Sequence, residues 1–212
     1  ERACQSRADS VLIATDDQRI VDAATSWGAD VVMTSDTHQS GTARISEAVV
    51  LSGYDDDDIV INVQGDEPLI PPENIDQVFA AVASMKDASI ATLAHPLRDV
   101  NDVINPNAVK VVFDHKGLAL YFSRSPMPWS EELPTSLPDR PYWLHLGIYG
   151  YRVHFLKQWP DMAPTDLERQ ERLEQLRPMY YGHRIFVAAA LKPMPPGVDT
   201  QEGLDRVRRA LA

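Results

Sequence analysis

Strand signals and helix signals alternate along the first 84 residues of the chain. Segments whose apolar residues recur at helical spacing follow short apolar, β-branched runs typical of buried strands. The strand-like runs are 11–15, 30–34 and 59–63, and the helix-like segments are 16–27, 42–51 and 72–84. Strands that alternate with helices of this length predict crossover connections and a mostly parallel sheet flanked by helices. The first half of the chain therefore predicts an α/β fold.

The second half departs from this regular alternation. Residues 107–124 read as two strands around a turn, and residues 142–152 read as another strand. Five prolines between Pro126 and Pro141 predict an extended arm over the surface. A helix over 164–177, a strand near 184–190 and a final helix are expected to complete the domain.

Composition excludes several classes of protein. The 212 residues fit a single domain, and 44% hydrophobic with 24% charged residues is typical of a globular protein. The net charge of −11 argues against a nucleic-acid partner, which requires a basic surface. No apolar run is long enough to span a bilayer and no signal peptide is visible, so we expect no membrane association. Cys4 is the only cysteine, which favours a cytoplasmic location.

Two acidic positions are candidates for a metal site. Gln64, Gly65 and Asp66 follow the apolar run at 59–63, and ligands of open α/β sheets bind outside the carboxyl ends of strands. Asp199 opens the last helix. Taken alone, the acid after the strand is better explained as an ordinary loop residue, and helix capping alone explains Asp199. If the fold brings the two carboxylates to ~4 Å, they repel by ~4 kcal/mol, and a divalent cation such as Mg²⁺ is needed between them.

Three further motifs carry polar groups in suggestive places. The sequence HQSGTAR, residues 38–44, puts small donors at the start of a helix, where anions or base edges bind. In HLGIYGY, residues 145–151, alternation places His145 and Tyr149 on one face of a strand. In LEQLR, residues 173–177, Glu174 and Gln175 lie between leucines of the predicted helix. Each motif alone also fits a structural role.

Taken in order along the chain, the motifs resemble those of the 3-deoxy-manno-octulosonate cytidylyltransferases. The resemblance rests on HQSGTAR, INVQGDEPLIP, NPNAVKVV, ALYFSR, HLGIYGYR, LEQLR and GVDT and covers essentially the whole chain. It implies a Rossmann-like nucleotide-diphospho-sugar transferase fold with a mostly parallel mixed sheet. It also implies a homodimer that joins CTP to 3-deoxy-manno-octulosonate (Kdo), which gives CMP-Kdo and pyrophosphate for lipopolysaccharide synthesis, with Mg²⁺ as cofactor. The hairpin and proline-rich arm at 108–142 resemble the dimerisation region.

The same resemblance assigns roles to individual residues. Asp66 and Asp199 look like the catalytic magnesium ligands. The residues that look like nucleotide contacts are Thr15, Asp16, Ser40, Gly41, Thr42 and Arg44. The residues that look like the sugar-acid pocket are Gln64, Arg124, His145, Tyr149, Glu174 and Gln175.

One family feature has no counterpart in these 212 residues. Relatives begin with a strand and a basic, glycine-containing loop that holds the triphosphate, so we expect a sheet without one inner strand and an impaired enzyme, or residues upstream of Glu1. Two alternatives remain open. One is a CMP-sialic acid synthetase-like enzyme, with a pocket for a nine-carbon acid. The other is a nucleotide-binding or dimerisation module without full catalysis.

Overall fold

The structure, a computed structural model, describes residues 1–85, 88–131, 142–198 and 200–211. Its α-helices are α1 Gln18–Ser26, α2 Gly41–Leu51, α3 Pro72–Ser84, α4 Val153–Gln158, α5 Asp166–Glu171, α6 Leu176–Tyr180 and α7 Gln201–Leu211. Its strands are β1 Leu12–Thr15, β2 Asp30–Met33, β3 Ile59–Asn62, β4 Ile90–Pro96, β5 Lys110–Phe113, β6 Ala119–Ser123, β7 Trp143–Arg152 and β8 Ile185–Ala189. Short 3₁₀ turns cover Ala3–Gln5, Val100–Val103 and Trp159–Asp161. No helix within the described ranges is long and apolar enough to cross a membrane.

The described strands form two sheets. β1 and β2 pair in parallel, and the other six strands form a mixed sheet in the order β6-β5-β7-β4-β8, with β3 also paired to β7. The α/β class and the mixed sheet with flanking helices are confirmed. Most strands of the six-stranded sheet run in the same direction, but the prediction of mostly parallel pairing is wrong, because most neighbouring strands are antiparallel. β3, β4, β5 and β8 run one way, but β7 runs the other way between them, so its ladders are antiparallel.

Helices cover both faces of the six-stranded sheet. Side chains of α3 pack with Leu93 and Ile148 on one face. Side chains of α2, α4 and α6 pack with Tyr149, Tyr151 and neighbouring strands on the other face. α3 approaches β7 closely at Gly150, where an added Cβ would stand 2.6 Å from a methyl group of Val82. The three layers thus depend on a residue without a side chain at the α3–β7 contact.

The helix predicted over 164–177 is wrong in its middle. α5 ends at Glu171, Arg172 has φ 54° and ψ 47°, and α6 begins only at Leu176. The left-handed Arg172 conformation ends α5, and the guanidinium of Arg124 binds the carbonyl oxygens of Glu171 and Arg172 at 2.7 and 3.3 Å. Glu174 and Gln175 therefore lie in the turn between two helices.

The hairpin over residues 107–124 is confirmed as β5 and β6, which pair antiparallel. The arm predicted between Pro126 and Pro141 lies largely outside the described residues, because residues 132–141 are not among them. The expectations about the dimerisation region and the upstream strand stay predictions.

Candidate active site

A cleft lies where β3 ends, at the carboxyl edge of the strands that share its direction. β3 ends at Asn62, and the turn that follows carries Gln64 and Asp66. The segment before α7 returns to this turn, because the Val198 backbone N–H donates to the Asp66 carbonyl oxygen at 2.7 Å. The cleft between them is lined by Asp66, Glu67, Pro196, Gly197, Val198, Thr200, Glu202 and Arg206.

Acidic side chains dominate this cleft. Asp66 is exposed, whereas Glu67 is partly buried. Burial, and then the neighbouring Asp66 charge, raises the pKa of Glu67 to about 7. Asp199 lies outside the described residues, and the residues on either side of it, Val198 and Thr200, line the cleft with Asp66. Within the described ranges no three acidic, histidine or cysteine side chains form a metal-binding group.

The residues predicted to contact a nucleotide gather beside α2. The Arg44 guanidinium binds the Asp16 carboxylate at 2.7 Å and the Thr34 hydroxyl at 2.7 Å, which ties α2 to the ends of β1 and β2. This Arg44 hydrogen bond lowers the pKa of Asp16 below its usual value. Ser40 caps α2 by accepting from the Ala43 N–H at 3.2 Å. Thr15 is buried at the end of β1.

The Thr42 side chain has partners different from those expected of a nucleotide contact. It is 1% exposed, and its hydroxyl donates to Glu174 Oε1 at 2.9 Å and lies 3.1 Å from the Tyr151 hydroxyl. The Thr42 backbone N–H also points to Glu174 Oε2 at 3.4 Å. Glu174 therefore occupies part of the α2 N-terminus, where the sequence analysis predicted that a ligand binds. Direct contact between a nucleotide and the Thr42 hydroxyl stays a prediction.

His145 and Tyr149 share one face, as predicted, with ring centroids 5.3 Å apart. They do so through a bulge, because the pairing of β4 with β7 jumps from Tyr149 to Leu146 between neighbouring positions Thr92 and Leu93. The buried Thr92 hydroxyl fills the bulge, with Ile148 O at 2.7 Å and His145 Nε2 at 3.0 Å. Burial lowers the pKa of His145 to about 3 and raises that of Tyr149 well above its usual value.

Two amide side chains lie near the start of α2: Gln64, from the predicted sugar pocket, and Asn62, which was not predicted. A Cβ on Gly41 would stand 3.2 Å from Gln64 Nε2 and 3.6 Å from Asn62 Nδ2. Among the described residues, Asn62 Nδ2 and Gln175 Nε2 are buried amide nitrogens without a hydrogen-bond partner. A buried amide donor without a partner costs about 1–3 kcal/mol, so each of these two N–H groups is a candidate donor to a ligand oxygen.

Arg124, a candidate for the sugar pocket, makes most of its hydrogen bonds to other residues of the protein. Its guanidinium donates to the carbonyl oxygens of Pro106, Glu171 and Arg172. Its own carbonyl accepts from the fully buried Lys110 ammonium at 2.7 Å. Three of the five guanidinium N–H groups are thus occupied, which leaves two for a carboxylate.

Comparison with known proteins identifies the family. A sequence profile described as cytidylyltransferase matches residues 1–185. A 3-deoxy-manno-octulosonate cytidylyltransferase of Pseudomonas fluorescens (strain SBW25) is 50% identical, with 100% of this chain and 85% of the relative covered. The relative of that name from Francisella tularensis subsp. novicida (strain U112) is 48% identical over 99% of this chain and 84% of its own length. The chain belongs to the 3-deoxy-manno-octulosonate cytidylyltransferase family.

Solved structures agree with this family. A CMP:2-keto-3-deoxy-manno-octonic acid synthetase complexed with CTP superposes with a TM-score of 0.88 at 35% identity, covering 99% of this chain and 84% of that one. A 4-diphosphocytidyl-2C-methyl-D-erythritol synthase superposes with a TM-score of 0.58 at 13% identity, over 96% of this chain and 80% of its own, and so shows shared fold alone.

Sequence reasoning about this cytidylyltransferase missed four residues around the candidate site. Thr92 and Asn62 gave no signal, because a single polar residue inside a strand has many structural explanations. Tyr151 continues the alternation of His145 and Tyr149, so the period-two pattern already placed it on their face. Glu67 stands next to Asp66, and only its burial distinguishes it from a loop acid.

Proposed function

We propose that the protein is a cytidylyltransferase that activates Kdo with CTP to form CMP-Kdo and pyrophosphate. The observation that carries this proposal is 50% identity to 3-deoxy-manno-octulosonate cytidylyltransferases along the whole chain. The geometry supports it, since the sugar-side candidates Gln64 and Glu174 lie beside Gly41 and Thr42 at the start of α2. In the reaction the anomeric hydroxyl of Kdo loses its proton to solvent, and its oxygen bonds to the α-phosphorus of CTP. The bond from that phosphorus to the bridging oxygen breaks, and pyrophosphate leaves.

The chain's own residues serve chiefly to position the two substrates. Arg44, fixed by Asp16, supplies a cation beside the α2 N-terminus for the nucleotide. The two remaining N–H groups of Arg124 suit the sugar carboxylate, because a guanidinium pairs with a carboxylate through two parallel hydrogen bonds. His145 is neutral near pH 7, so at that pH it contacts the sugar as a hydrogen-bonding group without charge. Holding the reacting atoms in line is the main catalytic contribution expected of such a site.

The cofactor proposed for this site is Mg²⁺. Asp66 fits it, because its exposed carboxylate opens on an acidic cleft, and magnesium is usually held by one or two carboxylates with substrate phosphates. Asp66 would hold the ion, with Asp199 as the second predicted ligand. Once bound, magnesium supplies charge neutralisation at the phosphate oxygens. The Val198–Asp66 hydrogen bond keeps the turn after β3 against the segment before α7.

The proposed assembly is a homodimer formed through the hairpin region. β6 lies at the end of the strand order, with Leu120 on it 61% exposed, and Trp129 beyond it 81% exposed. An edge strand with an exposed apolar side chain is a natural pairing surface.

A cytoplasmic location stays a prediction.

A pyrophosphate-release assay with CTP, Mg²⁺ and either Kdo or N-acetylneuraminate tests the function. We expect turnover with Kdo and at least a hundredfold lower rate with the nine-carbon acid, because a pocket fitted to one acid excludes a larger one. Preference for N-acetylneuraminate would favour the sialic acid alternative. Calorimetric binding of CTP without pyrophosphate release from either acid would favour the non-catalytic module.

A further inference from the structure

A buried chain of hydroxyl groups links the sugar-side and nucleotide-side candidates. Tyr151, Thr42 and Glu174 come from β7, α2 and the turn between α5 and α6. The Tyr151 hydroxyl lies 3.1 Å from the Thr42 hydroxyl, which lies 2.9 Å from Glu174 Oε1. Thr42 is 1% exposed and Tyr151 3% exposed, so water does not compete for these contacts.

The direction of the hydrogen bonds in this chain is fixed. The Thr42 hydroxyl has one hydrogen, which it donates to the Glu174 carboxylate. Its oxygen must then accept from the Tyr151 hydroxyl. Tyr151 is itself immobilised, since its ring stacks between those of Tyr149 and Phe155 with centroids 5.9 Å away on each side. The two hydrogen bonds therefore fix the Glu174 carboxylate relative to the sheet.

We propose that Tyr151 and Thr42 are positioning residues that set the Glu174 carboxylate for the sugar acid and tie it to the first turn of α2. This inference rests on the proposed function, in which Glu174 belongs to the sugar-acid pocket. Glu174 lies in a turn, outside any helix or strand, so no regular backbone fixes its side chain. Thr42 holds both carboxylate oxygens, Oε1 by its hydroxyl and Oε2 by its backbone N–H. Loss of the hydroxyl chain leaves one weak contact at 3.4 Å.

The kinetic test uses variants that remove single oxygen atoms. We expect Tyr151→Phe and Thr42→Val to raise the KM for Kdo about tenfold, because each removes one hydrogen bond from a chain that ends on a charged acceptor. Thr42→Ser keeps the hydroxyl and is expected to restore the KM. Tyr54→Phe is the matched control, since its hydroxyl bonds Ser10 near the opposite end of α2. In a Glu174→Gln background, Tyr151→Phe is expected to add little.

The outcomes separate positioning from general damage. In Tyr151→Phe, a rise in the KM for Kdo with the KM for CTP within about twofold supports the proposal, whereas equal rises in both would overturn it. Thr42→Val is compared by its KM for Kdo alone, because Thr42 is also a predicted nucleotide contact. Full additivity of Tyr151→Phe with Glu174→Gln would also overturn it, as would an unchanged KM for Kdo in Tyr151→Phe. The Tyr151→Phe variant carries the test if Thr42→Val does not fold.

A second readout needs no catalysis and separates this inference from the proposed function. The Thr42 amide lies in the first turn of α2, where it has no acceptor within the helix, so its hydrogen exchange reports the Glu174 contact. We expect Tyr151→Phe to speed that exchange about fivefold by nuclear magnetic resonance, with no change in Tyr54→Phe. Unchanged exchange would overturn the positioning role even in an active enzyme. Faster exchange in a chain that releases no pyrophosphate would overturn the proposed function alone.

Discussion

At the scale of single residues, burial decides the charge of His145. Its ring packs edge-on against Phe122, with centroids 5.0 Å apart, and beside Tyr149. The nearest polar partner is the Thr92 hydroxyl, which is neutral and cannot stabilise an imidazolium as a carboxylate does. The folded protein therefore holds His145 without its second proton across the neutral and mildly acidic range.

This charge state predicts a pH-dependent stability. The unfolded chain takes up a proton at His145 below pH ~6.5, whereas the folded chain does so only near its pKa of about 3. Because the unfolded state binds more protons in this window, folding loses up to ~1.4 kcal/mol per pH unit as pH falls from ~6.5 toward 3. We expect urea titrations at pH 7, 6 and 5 to show that the free energy of unfolding falls less steeply with falling pH in His145→Gln than in the parent. His115→Gln, at an exposed turn, serves as the control. Identical pH dependence of the unfolding free energy in the parent and both variants would contradict the prediction.

Asp66 is the residue on which the proposed chemistry depends most. Asp66→Asn keeps the size of the side chain but removes the charge that a divalent ion needs. We expect the rate of pyrophosphate release to fall about 100-fold or more, and the magnesium concentration for half-maximal rate to rise. Asp57→Asn, in the exposed acidic turn at 55–58, is expected to match the parent. Equal activity of Asp66→Asn and the parent would remove Asp66 from the site.

Single residues were predictable where a local pattern fixed them. The position of Gln64 and Asp66 after a strand follows from an apolar run that ends in polar residues, and the position of Ser40 at a helix start follows from the residues after it. The Thr42–Glu174 contact joins residues 132 positions apart, so no local pattern contains it. The internal partners of Arg124 were missed for the same reason, because the turn at Arg172 brings the acceptors to it.

At the scale of elements, the contact between α3 and β7 limits which residues β7 can carry. We expect Gly150→Ala to destabilise the fold by ~1–3 kcal/mol, because the new methyl group would stand 2.6 Å from Val82 Cγ2 and 2.7 Å from Val78 Cγ1. Urea unfolding measures the change. Gly147→Ala is the matched control on the same strand, since an added Cβ there meets no atom within 4 Å.

A double variant decides whether crowding is the cause. In the Gly150→Ala background, Val82→Ala is expected to cost less than it does alone, because the truncated side chain makes room for the new methyl group. Simple additivity of the two changes would point to a backbone effect at position 150.

Elements with strong periodic patterns were predicted closely. α3 runs over Pro72–Ser84, the expected range, and Gly28 follows α1 with φ 73° as a helix stop requires. The helix over 164–177 failed in the middle, because its apolar spacing continues while the Arg172 backbone turns left-handed to meet Arg124. Tertiary contacts overrode helical periodicity at that point.

At the scale of the whole molecule, the order of the strands in the sheet could not be predicted from the sequence. The alternation in the first half indicated the α/β class, but nothing local placed β7 between β4 and the edge formed by β3 and β5. That insertion brings His145 and Tyr149 on β7 to the ends of β3 and β4. Topology thereby places Tyr149 beside Tyr151, whose hydroxyl contacts Thr42 at the start of α2, and no local sequence pattern contains this arrangement.

The hairpin edge predicts how two copies assemble. Leu120, 61% exposed on the edge strand β6, would be covered in a homodimer formed through this region. We expect Leu120→Lys to shift the protein toward a 23.7 kDa monomer in sedimentation velocity, because a buried lysine without a partner opposes association. Leu191→Lys, at a site 69% exposed just beyond β8, is the control and is expected to keep the parent's mass. A parent that is monomeric at micromolar concentration, or a Leu120→Lys dimer as stable as the parent, would place the assembly surface elsewhere.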